Sequence, residues 1–113
     1  MHMVYGLKAC DSCRKATAWL KARGIGFTFH DLRDSGLERS VLEDWTQRVD
    51  WEVLLNRKST TWRSIAEAER QNLDRSKAVD LMLAHPTLIK RPVLDTGTEL
   101  LIGYSADLYA ESL

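Results

Sequence analysis

The pattern of apolar and polar positions at the start of the chain predicts a strand, a helix and a second strand. Residues 3–5 form a short apolar run, residues 11–23 carry apolar side chains at helical spacing, and residues 26–31 alternate apolar with polar side chains. Gly24 suits the left-handed conformation that often closes a helix. A strand, a helix and a strand over so short a stretch predict two parallel strands joined by a right-handed crossover. The apolar positions that carry this prediction are Ala16, Trp19, Leu20, Phe27 and Phe29.

The middle of the chain is predicted to be helical. Asp74 is expected to cap one helix, and Thr60 or Thr61 to cap another that continues through residue 68. Pro86 ends the helical region. The apolar residues with helical spacing are Val41, Leu42, Trp45 and Val49 in the first helix, and Val79, Met82 and Leu83 in the last one.

After Pro92 the pattern returns to strands. Two apolar runs, residues 93–94 and 100–102, flank Asp95-Thr96-Gly97, which is typical of a hairpin turn. Ser105 is expected to cap a last helix. The order is therefore βαβ, an all-helical insert at about residues 37–86, and ββα. This α/β order is the layout of a thioredoxin-like fold, and we expect residues 1–113 to form one domain.

Charge and hydropathy give no indication of a nucleic-acid or membrane-binding surface. Sixteen basic and sixteen acidic side chains leave a formal net charge of zero. No apolar stretch approaches the length of a membrane span, and the N-terminus lacks a signal-peptide pattern. We therefore expect a cytoplasmic protein that binds neither membranes nor, directly, nucleic acids.

The two cysteines of the chain, Cys10 and Cys13, are spaced as Cys-x-x-Cys at the start of the first predicted helix. Unpaired N–H groups and the helix dipole stabilise a thiolate at that position, so the spacing indicates thiol–disulfide chemistry. Lys8, Arg14 and Lys15 are expected to lower the pKa of Cys10 further, with Asp11 partly offsetting them.

A zinc half-site or a pair of inert thiols is the alternative interpretation of the two cysteines. Zinc would need two more ligands, and the three histidines, His2, His30 and His85, lack the usual paired spacing. We therefore expect no metal and no bound cofactor. Likewise, the alternative for Cys13 alone is a small buried hydrophobic residue.

Several motifs spread along the chain resemble the ArsC/Spx family, and within it the YffB-like proteins. These motifs are Tyr5-Gly6-x-Lys8-x-Cys10, the run Ser12-Cys13-Arg14-Lys15-Ala16 with Ala18-Trp19-Leu20, the Trp51-Glu52 to Leu54-Leu55-Asn56 stretch followed by Thr60-Thr61-Trp62-Arg63, and Lys90-Arg91-Pro92. The resemblance implies a thioredoxin fold with a helical insert, which agrees with the pattern of elements above.

The resemblance also implies a set of site residues. Cys10 matches the nucleophile of the glutathione- and glutaredoxin-linked arsenate reductases, and Arg91 matches one of their three oxyanion-binding arginines. Asn56 and Gly103 stand at the other two positions, and Arg57 is the neighbour that can substitute for one of them. Two missing arginines disfavour efficient arsenate reduction, because a desolvated dianion needs charged partners.

Pro92 is expected to be cis and to place Arg91 beside the thiols, as the corresponding proline does in thioredoxin-like folds; a trans proline with a solvated Arg91 is the alternative. We assign catalysis to Cys10 as nucleophile, Cys13 as resolving thiol and Arg91. The residues expected to bind substrate are Lys8, Arg14, Asn56, Arg57 and Pro92.

These assignments predict a thiol–disulfide oxidoreductase that is arsenate-reductase-like. Its co-substrate is expected to be glutathione, or a glutaredoxin- or thioredoxin-type donor. One alternative is a redox-sensing transcription regulator of the Spx type, which has a second cysteine at the position of Cys13 and binds RNA polymerase. A genuine arsenate reductase is the other alternative.

Overall fold

The computed structural model describes residues 2–113, and the chain packs as two compact units. The first unit is built from the segments before Gly36 and after Lys90, and the second is Gly36–Lys90. The elements, in chain order, are β1 (His2–Gly6), α1 (Asp11–Ala22), β2 (Phe27–Asp31), α2 (Leu32–Ser35), α3 (Arg39–Arg48), α4 (Trp51–Leu54), α5 (Thr60–Ser64), α6 (Glu67–Arg70), α7 (Arg75–Ala84), a 3₁₀ turn (Pro86–Leu88), β3 (Val93–Asp95), β4 (Leu100–Ile102) and α8 (Ala106–Ser112).

The first unit contains a four-stranded mixed sheet in the order β2-β1-β3-β4. β1 and β2 are parallel, as predicted, whereas β3 is antiparallel to both β1 and β4. In the register of the sheet, Val4 lies between Phe29 on one side and Leu94 on the other. This sheet with its helices is the predicted α/β arrangement of the thioredoxin-like fold.

The core of the first unit lies between the sheet and helices α1 and α8. The predicted face of α1 is confirmed, because Ala16 and Leu20 are fully buried and Trp19 packs beside them. Burial of each large side chain in such a cluster contributes about 1.5–3 kcal/mol, so the packing of α1 on β1 holds the start of the helix in place. The buried residues of the cluster are Val4, Ala16, Leu20, Leu94, Leu101 and Tyr109.

The hairpin and the last helix follow their sequence signals. Gly97 has a φ of 96°, and its N–H donates to the Asp95 carboxylate at 2.8 Å, so the turn forms where it was predicted. The Ser105 hydroxyl caps α8 by accepting the N–H of Leu108 at 3.0 Å.

The second unit is helical, and one of its two predicted helix N-caps differs from the prediction. Asp74 caps α7 as expected, accepting the N–H of Lys77 at 2.8 Å. The prediction of Thr60 or Thr61 as a cap is wrong, because the hydroxyl of Ser59 accepts the N–H of Trp62 at 3.1 Å and starts α5 one residue earlier.

The helix expected to continue through residue 68 is instead interrupted. Ile65 is extended, with φ −79° and ψ 138°, and its side chain is buried. The extended backbone at this buried isoleucine separates α5 from α6, which are two short helices. In residues 2–113, no helix is long and apolar enough to cross a membrane.

Asp31, at the end of β2, ties the loop before α1 to the sheet. One carboxylate oxygen accepts the backbone N–H of Lys8 at 3.1 Å, and the other accepts those of Arg33 at 2.8 Å and Asp34 at 3.1 Å. The Asp34 N–H is the main cause that lowers the pKa of Asp31, and the Lys8 and Arg33 N–H groups act in the same direction against the effect of burial.

We expect Asp31→Asn to lower the free energy of unfolding at neutral pH. We also expect this free energy to fall less in the variant than in the wild type as the solution is made acid. An amide cannot accept hydrogen bonds on both of its heavy atoms, so it cannot hold Lys8 and the start of α2 together. Because the folded-state pKa of Asp31 is lowered, its contribution is complete above the ordinary pKa of about 4 and is lost as the pH falls through the folded-state pKa. Urea unfolding measured across acid pH checks this.

Asp34→Asn is the matched control for the Asp31 substitution. The Asp34 carboxylate makes only an exposed ion pair with Lys8 at 3.1 Å, and such pairs contribute little to stability. Equal pH dependence in the two variants would contradict the role given to Asp31.

Candidate active site

Cys10 stands at the N-cap of α1, where the chain leaves the loop after β1. Its carbonyl accepts the N–H of Arg14 at 3.0 Å, and its own N–H donates to the Leu7 carbonyl at 3.2 Å, which closes the loop. The Cys10 thiol is partly exposed, whereas Cys13, one turn further along α1, is 1% exposed. The expectation that Cys10 is the more exposed of the two thiols is confirmed.

The groups around the Cys10 sulfur favour its thiolate. Partial burial acts to raise the pKa of this thiol, because it removes water from the charged form. The N–H and S–H groups of Cys13 and the guanidinium of Arg91 act in the opposite direction and outweigh burial, so that the pKa of Cys10 is lowered. The Cys13 N–H is directed at the Cys10 sulfur, although the two do not form a helix-capping hydrogen bond of standard geometry.

The pKa of the Cys13 thiol is shifted in the opposite direction. Burial, with the hydrogen bond that its S–H donates to Cys10 and the negative charge there, raises the pKa of Cys13 to about 12. The Leu7 N–H and the Arg91 guanidinium act against this rise without cancelling it. The two pKa values are therefore shifted in opposite directions: that of the accessible Cys10 is lowered, and that of the buried Cys13 is raised.

Gly6, the last residue of β1, makes room for Cys13. A Cβ at this position would collide with the Cys13 sulfur and would stand 3.3 Å from its Cβ. The α1 helix thus approaches the strand so closely that only a residue without a side chain fits beneath the buried thiol. Gly6 is a site residue that the sequence analysis did not single out, although a glycine ending a strand before a Cys-x-x-Cys motif is a recognisable signal.

Arg91 and Pro92 bring the second segment of the unit to the thiols. The Arg91–Pro92 peptide bond is cis, as the family resemblance implied, and the Pro92 carbonyl accepts the N–H of Gly103 at 2.8 Å. The guanidinium of Arg91 acts on the sulfurs of both Cys10 and Cys13. The three residues assigned to catalysis are therefore together in this unit.

The cation that lowers the pKa of Cys10 is Arg91, which corrects the expectation for Lys8, Arg14 and Lys15. The ammonium of Lys8 pairs with Asp34, and the guanidinium of Arg14 pairs with Asp11; both basic side chains are largely exposed. The physical reason is that these side chains lie along the surface and pair with carboxylates, so their charges are not directed at the Cys10 sulfur.

Lys8 and Arg14 do border an open cavity of about 230 Å³ that also reaches Cys13. Phe27 and Phe29 line its apolar part. The structure thus brings two of the expected substrate-binding residues to one cavity, and their role in binding stays a prediction.

Asn56 and Arg57 belong to the second unit, and their contacts there are those of a turn before α5. The Asn56 amide oxygen accepts the N–H of Lys58 at 3.1 Å, and the Asn56 N–H donates to the Leu88 carbonyl at 2.8 Å. The Arg57 guanidinium lies 5.8 Å from the centre of the Trp62 ring. A substrate role for Asn56 and Arg57 also stays a prediction. Among residues 2–113, no cluster of three or more His, Cys, Asp or Glu side chains is arranged to hold a metal ion.

We expect Arg91→Gln to move the pH dependence of Cys10 alkylation to higher pH. The substitution removes the cation that lowers the pKa of the Cys10 thiol, so less thiolate is present at a given pH. The rate of iodoacetamide modification measured against pH, with the modified residue identified by mass spectrometry, checks this. Arg14→Gln is the control and should leave the profile unchanged, because Arg14 pairs with Asp11; an equal shift in both variants would exclude a specific effect of Arg91.

We expect Gly6→Ala to destabilise the protein by about 1–3 kcal/mol, because the new methyl group overpacks the buried thiol. Gly26→Ala is the matched control: no atom lies within 4 Å of its added Cβ, so its free energy of unfolding should be unchanged or slightly higher. Denaturant unfolding of the two reduced variants checks this. Combining Gly6→Ala with Cys13→Ala should recover part of the loss, since the colliding sulfur is then gone; a full penalty in the double variant would refute the steric explanation.

Comparison with known proteins identifies the family to which the chain is similar. Residues 5–112 match the model of the ArsC family. The chain is 38% identical over 109 residues to an uncharacterized protein of Haemophilus influenzae, with 96% of each chain covered. It is also 26% identical over 106 residues to the global transcriptional regulator Spx 1 of Lactococcus lactis, covering 92% of this chain and 82% of that one.

A solved structure extends the similarity to three dimensions. The YFFB (PA3664) protein is 42% identical, with a TM-score of 0.96 over 100% of this chain and 99% of its own. The resemblance to the ArsC/Spx family and its YffB-like branch is thereby confirmed. Since the family model spans nearly the whole sequence and the fold and motifs agree with it, the chain belongs to the ArsC family.

Proposed function

We propose that this protein is a thiol–disulfide oxidoreductase in which Cys10 is the nucleophile, Cys13 the resolving thiol and glutathione the co-substrate. The observation that carries the proposal is the opposed behaviour of two adjacent thiols. The pKa of the accessible Cys10 is lowered by Cys13 and Arg91 against the effect of burial, while burial raises the pKa of Cys13 to about 12. An accessible thiol with a lowered pKa beside a buried thiol with a raised pKa suits two-step disulfide exchange, in which the first attacks and the second resolves.

In the first step the Cys10 thiolate attacks one sulfur of a disulfide substrate. A bond forms between Cys10 and that sulfur, the substrate S–S bond breaks, and the other half leaves as a thiolate that takes up a proton from water. The Arg91 guanidinium, which acts on the Cys10 sulfur, is placed to attract the carboxylates of glutathione or the leaving thiolate. The product of this step is a mixed disulfide on Cys10.

In the second step Cys13 releases the bound half. Once Cys10 is part of a disulfide, it has no negative charge, and two of the causes that raise the pKa of Cys13 disappear. Cys13 loses its proton to water, its thiolate attacks the Cys10 sulfur, and the internal disulfide forms while the bound thiol leaves and is protonated. Glutathione, or a glutaredoxin- or thioredoxin-type donor, then reduces the Cys10–Cys13 disulfide; such a cycle fits the reducing cytoplasm.

A redox-sensing regulator of the Spx type is the second candidate function. It is favoured by the similarity to the global transcriptional regulator Spx 1, together with the Cys10–Cys13 pair. In that case the internal disulfide would change the affinity for RNA polymerase, and the protein would turn over small disulfides poorly. Redox-dependent capture of RNA polymerase without turnover would favour the regulator.

Genuine arsenate reduction is the less favoured enzymatic alternative. Of the three arginine positions implied by the family resemblance, only that of Arg91 carries an arginine, while Asn56 and Gly103 stand at the others. We therefore expect arsenate turnover to be weak compared with the reduction of disulfides.

The proposal predicts distinct products for the two cysteine variants in glutathione redox buffers. Wild-type protein should form the Cys10–Cys13 disulfide, Cys13→Ser should accumulate a glutathione adduct on Cys10, and Cys10→Ser should lose thiol-reductase activity by at least about a hundredfold because the remaining thiol is buried and protonated. Alkylation of the remaining thiols followed by mass spectrometry, with a coupled glutathione assay for activity, checks this.

Each alternative gives a different pattern in the same experiment. If the wild-type protein forms the glutathione adduct on Cys10 and no internal disulfide, Cys13 is not the resolving thiol. The mechanism then uses a single thiol. Full reductase activity in Cys10→Ser would refute the proposal altogether.

A further inference from the structure

The open cavity beside Cys13 has an aromatic wall that glutathione does not explain. Phe27 and Phe29 line this cavity of about 230 Å³, and both side chains are only partly buried. They alternate with Thr28 along β2, so their rings lie on the same face of the strand. Aromatic surface that faces water is stabilised by contact with an apolar ligand. Glutathione has no large apolar group that could make this contact.

The aromatic wall lies next to the buried thiol. Cys13 is itself one of the residues that line the cavity. A Cβ on Gly6 would collide with the Cys13 sulfur and would also stand 3.7 Å from the Phe29 ring. The sulfur and the ring are therefore neighbours around one point, and Cys10 lies one helical turn from Cys13. A group attached to the Cys10 sulfur can thus extend past Cys13 into the cavity.

The rim of the cavity is positively charged. Lys8, Arg14 and Lys21 line it, and among the described residues no acidic side chain does so. Lys8 already pairs with Asp34, and Arg14 pairs with Asp11. Lys21 is exposed and forms no ion pair with a carboxylate within residues 2–113. The cavity therefore presents the Lys21 ammonium group to an anionic ligand.

The α1 helix sets the distance between the thiols and this ammonium group. The cavity-lining residues of α1 follow one another along one face of the helix, and they are Cys13, Arg14, Thr17 and Lys21. Lys21 lies just over two turns beyond Cys13, about 12 Å along the helix axis. Helix side chains lean back toward the N-terminus, which shortens this separation. A ligand that meets both ends therefore has an apolar chain between its sulfur and its anionic group.

We propose that the disulfide substrate carries an apolar chain ending in a carboxylate, and that this cavity binds the chain; the inference rests on the proposed function. The Cys10 thiolate attacks the sulfur at the head of the chain, the substrate S–S bond breaks, and the other half leaves as a thiolate that water protonates. The chain stays on Cys10, with its methylene groups against the two rings and its carboxylate at Lys21. Cys13 then loses its proton to water and displaces the chain, which leaves as a thiolate and is protonated. Glutathione reduces the Cys10–Cys13 disulfide and is itself oxidised.

The symmetrical disulfides of three alkyl thiols test this. Mercaptooctanoate has the apolar length and the charge, mercaptooctanamide has the length alone, and mercaptopropionate has the charge alone. Their S–S bonds are of similar reactivity, so differences in KM report binding. With glutathione as reductant, the octanoate disulfide should have the lowest KM. Lys21→Gln should raise that KM about two- to fivefold, the effect of losing one exposed ion pair, and should leave kcat and the KM of the octanamide disulfide unchanged.

Lys15→Gln is the matched control, because it removes the same charge from α1 at an exposed position that does not line the cavity. All KM values should be unchanged in this variant. An equal rise in KM in the Lys15 and Lys21 variants overturns the inference and leaves the proposed function intact. Equal KM values for the octanoate and octanamide disulfides in the wild type have the same consequence.

Methylthio-octanoate separates failure of the inference from failure of the proposed function, since it has the chain but no disulfide to reduce. Isothermal titration should show binding to the wild type, with a Kd that Lys21→Gln raises about two- to fivefold and Lys15→Gln leaves unchanged. Absence of binding overturns the inference. Binding with this pattern to a wild-type protein that reduces no disulfide overturns the proposed function, and retains the cavity as a site for the chain.

Discussion

The interaction between the Cys10 and Cys13 side chains is the one on which the functional part of this molecule depends. Cys13 keeps the proton because it is buried, and it directs its S–H at Cys10, whose sulfur reaches solvent. The asymmetry follows from position on the helix: the N-cap residue lies at the surface, and the residue three further on faces the sheet. The pKa values of two chemically identical side chains are thereby shifted in opposite directions.

Holding one thiol inside the core requires close packing around it. β1 ends in Gly6 so that α1 can approach, and the Leu7 N–H is directed at the Cys13 sulfur. Asp31 fixes the same loop from the neighbouring strand through the N–H of Lys8. The loop between β1 and α1 is therefore held by contacts with both the α1 helix and the β2 strand.

The fold could be predicted from the sequence because it depends on periodicity. The alternation at Phe27 and Phe29 and the helical spacing of Ala16 and Leu20 each reflect one buried face, which the structure confirms. Cap positions depend on local competition between adjacent hydroxyls, which is why Ser59 was missed.

The site was predicted less completely, for a different physical reason. Cys10, Cys13 and Arg91 were identified from motifs, and the structure brings them together. Gly6 stands before the Cys-x-x-Cys motif, but its role arises from the close contact between β1 and α1, which the order of residues alone does not show. The cations next to Cys10 in sequence act elsewhere, since side-chain direction, rather than sequence proximity, decides which charge a sulfur meets.

The position of Arg91 in the chain has a consequence for biosynthesis. The two thiols leave the ribosome early, whereas Arg91 follows only after the whole of Gly36–Lys90 has been made. Until the C-terminal segment has paired with β1, Cys10 lacks the guanidinium and the packed neighbour that favour its thiolate. At a given pH Cys10 accordingly has less thiolate in the nascent chain than in the finished protein, and its pKa is lowered only when the sheet is complete.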